Sequence, residues 1–164
     1  MERMIPKGLE PEVVLEIFEE ISKVPRASRH EEEISKWLVN FAERYNLDYV
    51  QDEMGNVLIR KPGTSGKEDH PAVILQSHMD MVCEKTPGSD HDFMKDPIQI
   101  TVEGDKITAK ETTLGADNGL GLSLSLALLT LEDAPHPPLE VLVTVDEELG
   151  LTGAEKFDAT QLKG

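Results

Sequence analysis

His78 and Asp80 stand two residues apart at the end of an apolar run, Val73-Ile74-Leu75. In an extended chain such positions point to the same face. An imidazole and a carboxylate so placed can divide their work. The acid holds one ring nitrogen and leaves the other to bind a metal ion. The same two residues also suit a plain solvated strand end. Asp117 lies between Gly115 and Gly119, at the head of the apolar stretch Leu120 to Leu129. It either caps a helix by accepting orphan amides or offers a carboxylate that bridges two cations. Asp146, Glu147 and Glu148 follow the β-rich run Leu139 to Val145. Three adjacent acids repel one another unless water solvates them or a cation sits nearby.

These groups need elements to hold them. Ala72 to Ser77 and Leu139 to Val145 read as buried strands, the first as the central one. Open α/β folds place their sites at such strand ends. Leu120 to Leu129 is apolar nearly all round, which predicts a buried helix. Upstream, Val13, Val14, Ile17, Phe18 and Ile21 recur at helical spacing within Glu10 to Val24. Pro11 suits the first turn of that helix and Pro25 stops it. Ser28 and Glu31 fit a capping box for a second helix, whose inner face is Ile34, Trp37, Leu38, Phe41 and Tyr45. Leu47 to Gln51 and Val57 to Arg60 flank a turn, and 62 to 71 reads as a loop. Ile98 to Val102 and Lys106 to Ala109 read as an exposed hairpin, and a last helix begins within 151 to 157. The pattern predicts a three-layer α/β/α fold with a mixed, largely buried sheet. His78, Asp117 and Glu148 should meet at one sheet edge, with Glu147 beside them.

Composition narrows the function classes. A chain of 164 residues is one domain with room for a core. Its 32 Asp and Glu against 16 Lys and Arg give a net charge of −16. That field repels nucleic acid and anionic membranes, so neither is an expected partner. No apolar run is long enough to span a bilayer, and the start, Met1-Glu2-Arg3-Met4, lacks a signal-peptide core. The single cysteine, Cys83, cannot form an internal disulfide. Together these predict a cytoplasmic setting. Cys83 follows the His78 strand but is assigned no catalytic role. Asp90-His91-Asp92 has ligand types without a regular element to fix them, so no metal is expected there.

Taken together, three stretches resemble the ordered motifs of the di-zinc aminoacylase/carboxypeptidase-type metallopeptidases. They are Ser-His-Met-Asp-Met-Val from Ser77, Thr-Leu-Gly-Ala-Asp-Asn-Gly from Thr113 and Thr-Val-Asp-Glu-Glu-Leu-Gly from Thr144. The segment His91 to Ile98 resembles the aminoacylhistidine dipeptidases, or cytosol non-specific dipeptidases, in particular. The resemblance implies two divalent cations, zinc as the first choice, and a dipeptide substrate. It implies His78 as ligand of the first metal, Asp80 as its orienter, Asp117 as the bridging carboxylate, Glu147 as general base and Glu148 as ligand of the second metal. It also implies a cis peptide between Asp117 and Asn118. Such enzymes take further ligands and a lid domain from later sequence. Residues 1–164 are therefore expected to be the leading part of a catalytic domain, inactive alone. An unpaired sheet edge would favour self-association. An N-acyl-amino-acid deacylase or a carboxypeptidase would share the motifs. A non-enzymatic acidic cation-binding module would ligate through oxygen alone, without His78.

Overall fold

The computed structural model describes residues 4–164. Met1, Glu2 and Arg3, read above as part of a start without a leader, lie outside the described residues. The chain runs α1 (Glu12–Ile21), α2 (Glu32–Arg44), β1 (Asp48–Gln51), β2 (Val57–Lys61), β3 (Val73–His78), β4 (Ile100–Glu103), β5 (Lys106–Ala109), α3 (Ala116–Thr130), β6 (Leu139–Thr144) and α4 (Thr152–Lys156). A 3-10 turn follows at Ala159–Gln161. The main sheet has the order β1-β2-β6-β3. β3 runs parallel to β6, whereas β2 is antiparallel to both β1 and β6. The sheet is thus mixed, as expected. β4 and β5 form the separate antiparallel hairpin.

Alternation along the strands sorts side chains to two faces. Val57, Ile59, Val141 and Val143 pack with Phe18 and Ile21 of α1, Leu38 and Phe41 of α2, and Leu122 and Leu126 of α3 in one core. Each such side chain contributes about 1.5–3 kcal/mol by leaving water. The other face is closed by the end of the chain. Glu140 of β6 is buried there and accepts from Arg60 Nε at 3.2 Å and from the amides of Lys163 and Gly164 at 2.7 and 3.1 Å. Arg60 Nη2 in turn donates to the Gln161 carbonyl at 2.8 Å. β6, covered on both faces and both edges, is buried along its whole length.

Three expectations need correction. β3 lies at an edge of the sheet, with Val73 44% exposed. Its apolar run identifies a strand but not that strand's rank, and β6 takes the central place. α3 is buried on one face only. Leu120, Leu124 and Leu128 form an outward stripe at four-residue spacing, with Leu124 51% exposed. A helix apolar all round carries no pattern that says which face packs. The capping box does not form. Glu31 is itself the N-cap of α2 and makes no side-chain cap bond. Its carboxylate accepts instead from the amides of Arg29 and Asp146, both at 2.9 Å, while Ser28 Oγ donates to Asp80 Oδ2 at 2.7 Å. Partners across the sheet end outcompete the local cap. Pro11 sits one position before α1, as its N-cap, after a cis Glu10–Pro11 bond.

α4 is anchored by a close backbone approach. The Gly153 amide bonds the Val145 carbonyl at 3.2 Å, and Asn56 links the Val145 amide to the Gly153 carbonyl, both at 3.0 Å. A Cβ on Gly153 would lie 2.6 Å from Asn56 Oδ1 and 2.7 Å from the Val145 nitrogen. Gly153→Ala should therefore lower the unfolding free energy by about 1–3 kcal/mol, read from urea denaturation. An unchanged midpoint would show that α4 is held less tightly than this geometry requires.

Candidate metal centre

Parallel pairing sets His78 opposite Thr144, so β3 and β6 open onto the same rim. The pairing runs one residue further, with the Met79 amide on the Thr144 carbonyl at 2.9 Å. Beyond β6, Asp146 adopts a left-handed backbone with φ of 50° and turns the chain. That turn aims the amides of Glu147 and Glu148 at Asp80, on Oδ1 at 3.1 Å and Oδ2 at 3.2 Å. It also separates the three adjacent acids. The Asp146 carboxylate faces away, to Thr152 Oγ1 at 2.7 Å and Arg29 Nε at 3.4 Å.

The entrance of α3 supplies the third component. Gly115 is left-handed at φ of 70°, and Asp117 and Asn118 depart from helical geometry. The bond between Asp117 and Asn118 is cis, as the resemblance implied. Asp117 does not cap the helix. Its Oδ1 lies 3.2 Å from His78 Nε2. Of the two readings of this residue, the geometry sets aside the cap.

The residues read from the sequence thus converge. His78, Asp117 and Glu148 each offer a ligand atom, and these atoms lie within 4.8 Å of one another. Glu147 Oε2 is 3.6 Å from His78 Nε2. Asp80 has no solvent exposure and holds the opposite side of the ring, with Oδ1 3.2 Å from Nδ1. The imidazole therefore presents Nε2 to the carboxylates. The donor set fits a divalent cation. Nitrogen and oxygen ligands at about 2 Å in tetrahedral array stand roughly 3.3 Å apart, close to the His78–Asp117 separation.

Electrostatics follow from this crowding. Burial alone would raise the Asp80 carboxyl, but bonds from His78, Ser28 and the Glu147 and Glu148 amides bring it down to about 2. Burial works against the charged His78 ring, yet Asp80, Glu147 and Asp117 outweigh it and raise its proton affinity. Glu148 is raised by burial and by the neighbouring acids, although His78 acts in the opposite sense. A cation placed among these groups would relieve that repulsion.

Other candidates fall outside the cluster. Asp92 accepts from the Met94 amide at 3.0 Å and pairs with Lys95 at 3.1 Å, and His91 meets Phe93 edge-on at 4.5 Å. Burial pushes the Cys83 thiol up, and a raised thiol is mostly protonated at neutral pH. Arg26 was missed. It reads as part of a short connection, yet its side chain is buried and bonds the carbonyls of Met79, Asp80 and Gly115. Its partners lie 53 to 89 positions away, so no local pattern marks it.

Comparison with known proteins agrees with the motifs. No protein-family model matches this chain. It is 45% identical to the cytosol non-specific dipeptidase of Escherichia coli K12 over 89% of its own length and 30% of that protein's. The crystal structure of aminoacylhistidine dipeptidase from Vibrio alginolyticus superposes with a TM-score of 0.92 at 45% identity, over 96% of this chain and 32% of that one. A tripeptidase from Staphylococcus aureus matches at TM-score 0.76 and 26% identity, over 92% of this chain and 40% of that one. The resemblance seen in three motifs therefore extends over 89% of the chain in sequence and 96% in fold. The chain spans about a third of the length of these relatives.

Asp80 yields a pH prediction. A carboxyl lowered from 3.8 to about 2 on folding contributes about 2 kcal/mol above pH 4, and that contribution is lost as pH falls from 4 towards 2. The stability gap between the unsubstituted protein and Asp80→Asn should therefore be about 2 kcal/mol at pH 5 and shrink steadily below pH 4. Urea unfolding across this range measures it. A gap independent of pH would mean that Asp80 is not held ionised by its four donors.

Proposed function

We propose that this chain forms the leading part of the catalytic domain of a dinuclear metallopeptidase that hydrolyses dipeptides, those ending in histidine among them. The observation that carries the reading is the approach of His78, Asp117 and Glu148 within 4.8 Å, with Glu147 alongside. Two divalent cations, zinc as first choice, would supply a polarised water and a Lewis acid for the peptide carbonyl. His78 Nε2, with its ring fixed by Asp80, would hold the first cation, Asp117 would be shared by the two, and Glu148 would hold the second. Glu147 would take a proton from the attacking water and return it to the leaving amine.

The imidazole's place in the cluster counts against an oxygen-only cation module. A deacylase or carboxypeptidase would use the same constellation, so the choice of dipeptide rests on the 45% identity to dipeptidases. Relatives of about three times the length leave room for the remaining ligands and a lid. No helix of the described residues is long and apolar enough to cross a membrane. A cytoplasmic setting remains part of this proposal.

The decisive experiment compares two purified proteins at saturating zinc: residues 1–164, and this segment within a protein as long as its relatives. The long form should hydrolyse dipeptides, while the short form should bind zinc weakly and turn nothing over. In the long form, Glu147→Gln should lower kcat by about 10²–10⁴-fold with metal content kept, and His78→Ala should lose metal. Equal turnover by both forms, or preferred cleavage of N-acyl amino acids, would overturn the proposal. The open edge of β3 should also make the short form self-associate, and Val73→Lys should return it to monomer by placing a charge on that edge. Sedimentation as a monomer at all concentrations would refute this.

A further inference from the structure

Three segments distant in sequence meet behind the metal centre, and one side chain from the first bonds the other two. Arg26 lies in the connection between α1 and α2. Its Nη1 donates to the carbonyls of Met79 and Asp80 at 3.3 and 3.4 Å, and its Nη2 donates to the Gly115 carbonyl at 2.6 Å. Its own carbonyl accepts from the Met81 amide at 3.0 Å. Arg26 is 2% exposed, and its Nε has no partner. Burial lowers its proton affinity to about 10, which leaves it charged at neutral pH, with the Asp80 carboxylate nearby. Burying a cation is costly unless its bonds are well made. A merely structural join between two helices has no need of one.

The three carbonyls it binds belong to two different ligand supports. Met79 and Asp80 continue from His78 at the end of β3, and Gly115 precedes Asp117 at the entrance of α3. The main chains of these supports pair further out, where the Thr113 amide bonds the Glu84 carbonyl at 2.8 Å and the Thr86 amide bonds the Glu111 carbonyl at 2.9 Å. At the level of the ligands themselves, the guanidinium makes the join. Ser28, two residues along, reinforces the same join by donating to Asp80 Oδ2 at 2.7 Å. We infer that Arg26 is a positioning residue of the metal centre: it ties the end of β3 to the entrance of α3 and so sets the separation of His78 from Asp117. The inference rests on the metal-site reading above.

Two measurements on this segment within a protein as long as its relatives test it. The first needs no metal. In Arg26→Gln, the amides of Glu147 and Glu148, which report on Asp80, should exchange with solvent about ten-fold faster than any loss of global stability explains. Core amides of α2, such as Leu38 and Ala42, set that global reference. The second is zinc affinity by calorimetry, which should weaken about 10- to 100-fold in the folded variant. Arg26→Lys keeps the charge but not the forked bonds, and it should fall between. If Arg26→Gln does not fold, both measurements are read on Arg26→Lys. A uniform acceleration of all amides, or zinc affinity equal to that of the unsubstituted chain, would make Arg26 a packing residue and overturn the inference. Should the unsubstituted chain take up no zinc, the metal-site reading falls, and the exchange pattern alone decides the role of Arg26.

Discussion

The Asp80 carboxylate is the point on which this end of the molecule depends. It is fully buried, yet it stays ionised because every approach to it carries a donor. His78 comes from its own strand, Ser28 from the connection between α1 and α2, and the amides of Glu147 and Glu148 from the turn after β6. Each of those groups is oriented by bonding to it. A buried acid with fewer donors would take up a proton or drag water inward. With four, it fixes the tautomer of the imidazole and the direction of the following turn together. The rest of the cluster is a set of like charges that would spread apart without that anchor.

Parallel pairing makes the arrangement compact. Two neighbouring strands that run the same way end at the same rim, about 4.8 Å apart. The groups just past β3 and just past β6 are therefore neighbours, although almost seventy residues separate them. An antiparallel partner would have carried one set to the far end of the sheet. The left-handed residue Asp146 completes the geometry. It reverses the chain quickly enough for two successive amides to face back towards the strand that has just ended.

The sequence displays some of this plainly and hides the rest. His78, Asp117 and Glu148 were legible because ligand types sit where apolar runs start or stop, and the order of three such stretches is distinctive. The elements were legible where periodicity is strong, as in α1, α2 and β6. The rank of β3 in the sheet was not, since an apolar strand reads alike at centre and edge. The outward stripe of α3 was hidden for the same reason: leucine on every side names no face. Ser28 and Glu31 were misread because a local pattern, the capping box, competes with partners that only the tertiary fold brings near. Arg26 gave no signal at all, because its partners are three carbonyls, and every residue has one.

The glycines at the head of α3 carry a consequence for how such a chain can change over time. Arg26 Nη2 occupies the space that a side chain on Gly115 would need, and it lies 2.9 Å from where a Cβ on Gly119 would stand. Either glycine can gain a methyl group only after the guanidinium has left. Once the methyl is present, arginine cannot return. The three positions are therefore coupled: the cost of a side chain at either glycine depends on whether the arginine is present. Loss of the arginine alone frees neither glycine, because Met81 Sδ lies 2.8 Å from a Cβ on Gly115, whose backbone is left-handed, and Phe18 Cε2 lies 2.9 Å from one on Gly119. Lineages that kept the arginine would show two invariant glycines, one cause of which lies some ninety residues upstream, in a connection that looks unremarkable when read by itself.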